Sequence, residues 1–455
     1  DGDGFGDRCD DPVPVPEDIA GDTNKDEKGK AVAFAGDING DGYGDYVIGI
    51  PGYDLPAAPL KKAMKNAGRA EVISGKNGDV LMLVNGVAAK DALGTSVAGN
   101  ADIDGDGFID VAVGSPGADN KTDGLKNTGC VTILFGPDGG RNKTLCGQKP
   151  NSQFGFSISL ADANKDGFAD ILVGSPKEDR ILEGWSDWKN AGSAVLVSGK
   201  DYSQIIKVSN FLPGAEAGSS VLLADLNNDG FSEIIVGAPK TYWYYAGESG
   251  SGDGMFSSGS DTNRNAGEVS AYSLNGSEFW VAEGYSRHAY FGAALAAADI
   301  DKDGITDVIV GAPGEDFLAL EAGSVKVLSG DNGIPFTTIY GQVAKAGLGN
   351  SVAAGDVNGD GFVDIIAGAT LDDKPGETVI KDAGSVSVWS GSDYSLISTK
   401  YGDVSKDHFG SSVSAGDINN DGKADLIIGI PGKDIPAAKT IKDAGAVQVM
   451  SGASL

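Results

Sequence analysis

Asp37-Ile-Asn-Gly-Asp-Gly-Tyr-Gly-Asp45 follows the pattern Asp-x-Asp/Asn-x-Asp-Gly-x-x-Asp/Glu, which the chain carries seven times. The other copies run Asp102 to Asp110, Asp162 to Asp170, Asp225 to Glu233, Asp299 to Asp307, Asp356 to Asp364 and Asp417 to Asp425, with first residues 65, 60, 63, 74, 57 and 61 apart. A period of this size marks a repeat architecture, in which each unit buries its apolar face against its neighbours. Within one copy, side-chain oxygens at positions 1, 3, 5 and 9 and the backbone carbonyl of position 7 can surround one hard cation, while Gly at position 6 permits the sharp turn. A lone copy would equally read as a solvated turn held by Asx hydrogen bonds. Seven copies in one register, each keeping the position-5 Asp and the Gly after it, favour the metal. A turn needs no acid at position 9, whereas a cation does, and position 9 is acidic every time.

The pattern therefore predicts about seven calcium ions. The candidate ligands are Asp37, Asn39, Asp41, Tyr43 and Asp45; Asp102, Asp104, Asp106, Phe108 and Asp110; Asp162, Asn164, Asp166, Phe168 and Asp170; and Asp225, Asn227, Asp229, Phe231 and Glu233. The remaining copies offer Asp299, Asp301, Asp303, Ile305 and Asp307; Asp356, Asn358, Asp360, Phe362 and Asp364; and Asp417, Asn419, Asp421, Lys423 and Asp425. Position-7 residues act through their carbonyls, so their side chains are free to vary.

Charge agrees with this reading. The loops hold 23 of the 65 acids, and seven divalent cations would bring the net charge from -30 to -16. What remains argues against nucleic acid or an anionic membrane as partner, since both require Lys/Arg patches. No apolar run approaches 18 residues, so nothing predicts a membrane span. The chain begins inside a motif with no signal peptide in view, which reads as a mature or excised part of a longer chain.

The same local pattern flanks every loop. A short alternating run precedes it, such as Ser351-Val-Ala-Ala-Gly355, and a β-branched run ending in Gly-x-Pro follows, such as Asp307-Val-Ile-Val-Gly-Ala-Pro313. These predict two strands joined by the loop, the second apolar on both faces and so buried between sheets. A third strand opens on Gly, as in Gly323-Ser-Val-Lys-Val-Leu-Ser-Gly330, and a more polar fourth completes the unit, as in Phe336-Thr-Thr-Ile-Tyr340. Four antiparallel strands repeated seven times predict an all-β fold, a seven-bladed β-propeller.

Phe291-Gly292 before a loop and Gly311-Ala312-Pro313 after it resemble the FG-GAP signature of integrin α-subunit propellers. Phe154-Gly155 with Gly174-Ser175-Pro176 and Phe409-Gly410 with Gly429-Ile430-Pro431 are close copies; Leu93-Gly94 with Gly114-Ser115-Pro116 and Leu348-Gly349 with Gly368-Ala369-Thr370 are looser. The resemblance spans roughly residues 12 to 455. It implies calcium in the hairpin between the first two strands of each blade. A loop in every blade, with no inserted ligand-binding domain and no leg domains, is closer to the integrin-like propellers of prokaryotic surface proteins.

The last blade ends on its third strand, Gly445 to Gly452. Gly21-Asp22 to Gly29 aligns with Gly402-Asp403 to Gly410, so residues 12 to 20 take the missing fourth-strand place and close the ring. Pro12, Pro14 and Pro16 are tolerated there because an edge strand needs no amide on its outer side. The same alignment excludes Asp22 to Asp26 as an eighth calcium loop.

Residues 1–11 resemble the tail of a thrombospondin type 3 repeat, with Asp1, Asp3 and Asp7 as a partial calcium site; a solvated acidic tail is the alternative. This gives two expected parts, residues 1–11 as fragment or linker and residues 12–455 as the propeller. Cys130 and Cys146 lie symmetrically about the turn Gly136 to Gly140, cross-strand on the third and fourth strands of blade 2, and are read as a disulfide, with a pair of free buried thiols as the alternative. Cys9 is left over. A disulfide together with millimolar calcium sites points to an extracellular or cell-surface location.

Nothing predicts catalysis. His288 and His408 lie in different blades, and no Gly-x-Ser-x-Gly, His-Glu-x-x-His or Gly-Lys-Ser/Thr motif occurs. Recognition is better supported. The loops between second and third strands share the face opposite the calcium hairpins. Blade 4 carries the longest, Lys240 to Ala266, opening on Tyr242-Trp243-Tyr244-Tyr245, and blade 3 carries Trp185 and Trp188. Such aromatics serve as interface anchors or sugar-stacking platforms, or else pack as a lid over their own loop. Lys61, Lys62 and Lys65 on that face read as a solvated run. The expected role is adhesion or protein recognition, as part of a longer multidomain chain, with a protein or glycan ligand on the cell surface or matrix. A lectin-like module and a non-catalytic accessory domain of a secreted enzyme are the alternatives.

Overall fold

Each acidic loop joins two antiparallel strands, and two further strands complete each sheet. The computed structural model describes residues 19–57, 62–181, 187–209, 211–244, 262–436 and 439–454. Asp1, Asp3, Asp7, Cys9, Pro12, Pro14, Pro16, Lys61, Trp185 and Tyr245 lie outside the described residues.

Seven four-stranded antiparallel sheets form the blades of a propeller. In blade 5 the strands run Ala294–Ala298, Asp307–Ala312, Ser324–Leu328 and Pro335–Tyr340, in that order from axis to rim. First strands of successive blades touch in turn, and that of blade 7 (Ser412–Gly416) touches that of blade 1 (Ala31–Gly36). Seven strands crowding one axis need small side chains, and Ala294-Leu-Ala-Ala-Ala298 supplies them. The second strands, among them Asp45–Ile50, Asp307–Ala312 and Asp425–Ile430, are buried at every position. Their Val, Ile and Leu side chains each contribute about 1.5–3 kcal/mol by leaving water, which makes these strands the core of each sheet. Fourth strands are partly exposed; that of blade 2, Asn142–Cys146, is mostly polar, whereas that of blade 1, Val80–Asn85, is largely apolar, against the polar strand expected from the sequence.

The two glycines of the signature have one steric cause. Gly292, after Phe291, takes a φ of 86°, open to Gly at little cost. Its carbonyl then presses on the second strand of the preceding blade. A Cβ on Gly237 of blade 4 would stand 2.2 Å from it, a distance no side chain can occupy. The contact recurs at every seam, and at the last one Gly429 of blade 7 meets the carbonyl of Gly29 of blade 1. Serines in or just before the first strands reinforce five of the seams: Ser96, Ser157, Ser220, Ser351 and Ser412 donate to the carbonyls of Gly155, Gly218, Gly292, Gly410 and Gly29 at 2.7–2.9 Å.

Ring closure follows the sequence alignment. Ile19–Ala20 is the outer strand of blade 7, with Ile19 opposite Val447 and Ala20 opposite Ala446. Asp22 to Asp26 forms a turn, in which the Thr23 amide and hydroxyl donate to the buried Asp26 carboxylate at 2.7 and 2.5 Å. Cys130 and Cys146 face each other across the strands and are bonded.

The structure departs from the sequence reading in two details. The blade 6 inner strand begins at Leu348, before the alternating run. The long blade 4 loop starts and ends as a small hairpin, Trp243–Tyr244 paired with Thr262–Asn263, where aromatic and β-branched residues favour extended backbone.

Candidate functional site: acidic hairpins and the opposite face

In the first hairpin the Asp37 carboxylate accepts from the amides of Asp41 (3.0 Å) and Gly42 (2.8 Å), the Asn39 carbonyl oxygen from Asp41 N (2.9 Å), and Asp41 Oδ1 from Tyr43 N (3.1 Å). These bonds wrap the backbone round the side-chain oxygens. Position 2 pins the loop from below: Ile38, Ile103, Ala163, Leu226, Ile300, Val357 and Ile418 are essentially fully buried.

Position 9 holds the loop to the rest of its blade. Position-2 amides of Ile38, Ile103, Leu226, Ile300, Val357 and Ile418 donate to Asp45, Asp110, Glu233, Asp307, Asp364 and Asp425 at 2.7–3.1 Å. The other oxygen of Asp45, Asp110, Asp364 and Asp425, and Oδ1 of Asp170, whose Oδ2 has no partner, accept at 2.8–3.2 Å from Gly75, Gly136, Gly391, Gly452 and Gly199, the glycine just after the third strand. In blade 1 that place has no room for a side chain, because a Cβ on Gly75 would meet the Gly44 carbonyl at 1.9 Å. Blade 4 has Leu274 at this place, and its position-9 residue is Glu233. The longer Glu233 side chain turns to Asn227 Nδ2 (3.0 Å) instead of reaching the turn. The acid at position 9 thus has a structural task that the metal reading of the sequence did not include. The buried position-2 residue, and Leu274 in place of the glycine in the one blade whose position 9 is Glu, were the signals for it.

Burial pushes the carboxyls of Asp45, Asp110, Asp170 and Asp307 up to about 6, against the opposing pull of the backbone amides. Nearby loop acids push the same way. Such a group is easier to ionise beside a cation.

The donor set fits calcium. One oxygen each from Asp102, Asp104 and Asp106 lie within 4.8 Å of one another, as do oxygens of Asp299, Asp301 and Asp307. Asp104 Oδ1 and Asp299 Oδ1 are buried with no hydrogen-bond partner. A buried carboxylate oxygen without a donor is costly, and hard oxygen ligands of this number suit calcium.

On the opposite face, Trp188 and Arg180 exchange backbone hydrogen bonds at 2.9 Å, and the Arg180 guanidinium lies over the Trp188 ring at 5.0 Å. Trp188 and the Trp243–Tyr244 strand stand on arms of loops from neighbouring blades. Tyr242 is partly buried at the start of the second arm. The sequence reading missed blade 5, where Phe317, Leu318 and Leu320 are 57–66 % exposed and the Phe317 ring stacks on Tyr340 at 4.2 Å. Three large apolar residues in the short loop after Gly-Ala-Pro were the available signal. Among the described residues no helix is long and apolar enough to cross a membrane.

Fold and hairpins together define a seven-bladed propeller of integrin-like repeats. The FG-GAP repeat model matches residues 93–134, 154–197, 217–254, 291–328, 348–389 and 409–450, more than half of the chain, which belongs to the FG-GAP repeat family. Integrin alpha-V of Gallus gallus is 34% identical over 231 residues, 50% of this chain and 21% of that protein. Human integrin alpha-8 is 28% identical over 311 residues, 64% of this chain and 27% of that protein. Bovine phosphatidylinositol-glycan-specific phospholipase D is 24% identical over 397 residues, 78% of this chain and 45% of that protein. The chain therefore spans less than half the length of each of these relatives. Blade 1 lies outside the matched repeats. There Lys28 stands in place of the signature Phe, buried and paired with Glu71 at 2.8 Å.

Proposed function

We propose that the chain is an extracellular, calcium-stabilised recognition module that binds a protein ligand. The observation that supports this best is the division between its faces. One carries seven short acidic hairpins of a single sequence pattern, alike from blade to blade. The other carries second-to-third-strand loops of differing length and sequence, where recognition sits on a rigid scaffold. About seven calcium ions are held by the side chains at positions 1, 3, 5 and 9 and the position-7 carbonyl of each loop. Bound calcium supplies the counter-charge that clustered carboxylates need. Residues 12–455 act as one module of a longer chain, with the thrombospondin type 3-like residues 1–11 before it. Trp185, Trp188, Tyr242, Trp243, Tyr244 and Tyr245 provide the anchors, since Trp and Tyr bury large apolar area with few torsions to freeze.

The phospholipase D relative, aligned over 78% of this chain, supports a second reading: an accessory propeller within a larger secreted enzyme. One experiment separates these readings. The propeller, immobilised in calcium, is exposed to extracellular-matrix and cell-surface protein fractions and to a glycan array. A calcium-dependent protein ligand, lost in Trp243→Ala/Tyr244→Ala with an unchanged melting temperature, supports the recognition module. Glycan binding alone turns the assignment to a lectin. Retention of an enzymatic domain of the full-length protein, without any external ligand, turns it to the accessory reading.

A further inference from the structure

The seven loops are not equivalent in charge. Five have Asn at position 3 and carry three acids; those of blades 2 and 5 have Asp there and carry four. Electrostatics alone would make these two the strongest cation sites. The structure separates them through the residues on the adjoining turn between third and fourth strands.

In blade 2 that turn supplies Arg141. Its guanidinium reaches Asp104 Oδ2 at 2.9 Å and Asp106 Oδ2 at 2.8 Å, bridging positions 3 and 5. The side chain lies over the Phe135 ring at 5.1 Å, and its own carbonyl accepts from the Phe135 amide at 3.1 Å, so backbone and side chain are both held. The other Asp106 oxygen already accepts from Phe108 N at 3.0 Å. Blades 1 and 3 place a weaker version of this cation in their turns: Lys76 lies 3.9 Å from Asp41 and Lys200 lies 4.0 Å from Asp166. In blade 5 the residue at the place of Lys76 and Lys200 is acidic, Asp331. The nearest loop lysine, Lys302, instead lies over the Phe362 ring of blade 6 at 3.6 Å. Among the described residues, none of Asp299, Asp301, Asp303 and Asp307 takes part in an ion pair.

We propose that Arg141 is a built-in counter-cation of the blade 2 loop, which weakens that loop's hold on calcium, so that of the two four-acid loops blade 5 fills well before blade 2. The inference rests on the calcium reading of the loops. Its physical basis is direct. A guanidinium bound to two ligand carboxylates cancels part of their charge, engages lone pairs a metal would use, and repels an incoming divalent ion. Arg stays protonated throughout, so loading exchanges an ion pair for coordination without moving a proton. Blade 5 has the opposite arrangement, with a fifth acid on the turn and no basic partner.

The test is a calcium titration at fixed ionic strength, read by hydrogen–deuterium exchange on peptides spanning 102–110 and 299–307. The wild-type protein should show a clearly lower midpoint at 299–307 than at 102–110. Arg141→Gln should lower the 102–110 midpoint by about tenfold, the scale of removing one unit charge beside a divalent ion at a solvated site, and leave 299–307 unmoved. Arg141→Lys, which keeps the charge but not the two-pronged bridge, should fall between wild type and Arg141→Gln. Because Arg141 is largely exposed, both variants should melt as wild type does in chelator. An unchanged or raised 102–110 midpoint in Arg141→Gln overturns the proposal while the calcium reading survives. If no loop gains protection in calcium, the calcium reading fails and the proposal falls with it.

Discussion

The position-9 carboxylate separates two roles that a motif merges. Asp364 is fully buried and accepts from the Val357 and Gly391 amides, both at 3.1 Å. Asp360, at position 5 of the same loop, is exposed and accepts locally from Phe362 N at 2.8 Å. Removing a buried acceptor leaves its donors unsatisfied, at about 1–3 kcal/mol each. Asp364→Ala should therefore destabilise the protein by about 2–4 kcal/mol even in chelator. Asp360→Ala should cost less than about 1 kcal/mol in chelator and show its full effect only with calcium present. Chemical denaturation of both variants in EDTA and in calcium makes the comparison. Equal losses in EDTA would mean that position 9 serves the metal alone.

At the scale of the element, most of the architecture was legible in the sequence, because loop, strand and signature recur in one register. Asp307-Val-Ile-Val-Gly-Ala-Pro313 announces a strand buried on both faces, and Ala294-Leu-Ala-Ala-Ala298 fits a crowded axis. The cross-strand cysteines followed from the symmetry of their turn. Less legible was what depends on contacts between repeats: the serine bonds across seams, the tie from position 9 to the third-strand glycine, and the paired arms of the blade 4 loop. No local pattern states which backbone lies opposite. The hairpins also carry a pH signature. Asp45, Asp110, Asp170 and Asp307 are pushed up to about 6 in the fold by burial, above their ordinary value of 3.8. Folding then takes up protons, so their stabilising contribution is full below 3.8 and is lost as pH rises through about 6. In chelator the melting temperature should rise as pH falls from about 7.5 to about 5. Saturating calcium, which favours the ionised carboxylates, should flatten or reverse that slope. Parallel melting curves with and without calcium across this range would contradict the account.

For the whole molecule, one short strand and one glycine contact complete the ring. Ile19–Ala20 covers the edge of Ala446–Met450, and Gly429 packs on the carbonyl of Gly29. Deleting residues 1–11 should leave melting and solubility unchanged. Deleting residues 1–20 should lower the melting temperature and promote association, since the third strand of blade 7 would then present an unpaired edge. Indistinguishable behaviour of the two deletions, by calorimetry and light scattering, would count against closure by the N-terminal strand.

Calcium, as proposed above, joins the scales: each of the seven acidic hairpins would hold one ion, and the bound ions would stabilise the closed propeller. Its most direct measurement is calcium content after equilibrium dialysis, paired with melting of the same samples before and after chelation. The account predicts close to seven ions per chain at saturation and a melting temperature that falls substantially once they are removed, because a ligand of the folded state alone stabilises it by mass action. A metal-free protein that melts at the same temperature as the saturated one, or a chain that binds only one or two ions, would contradict it.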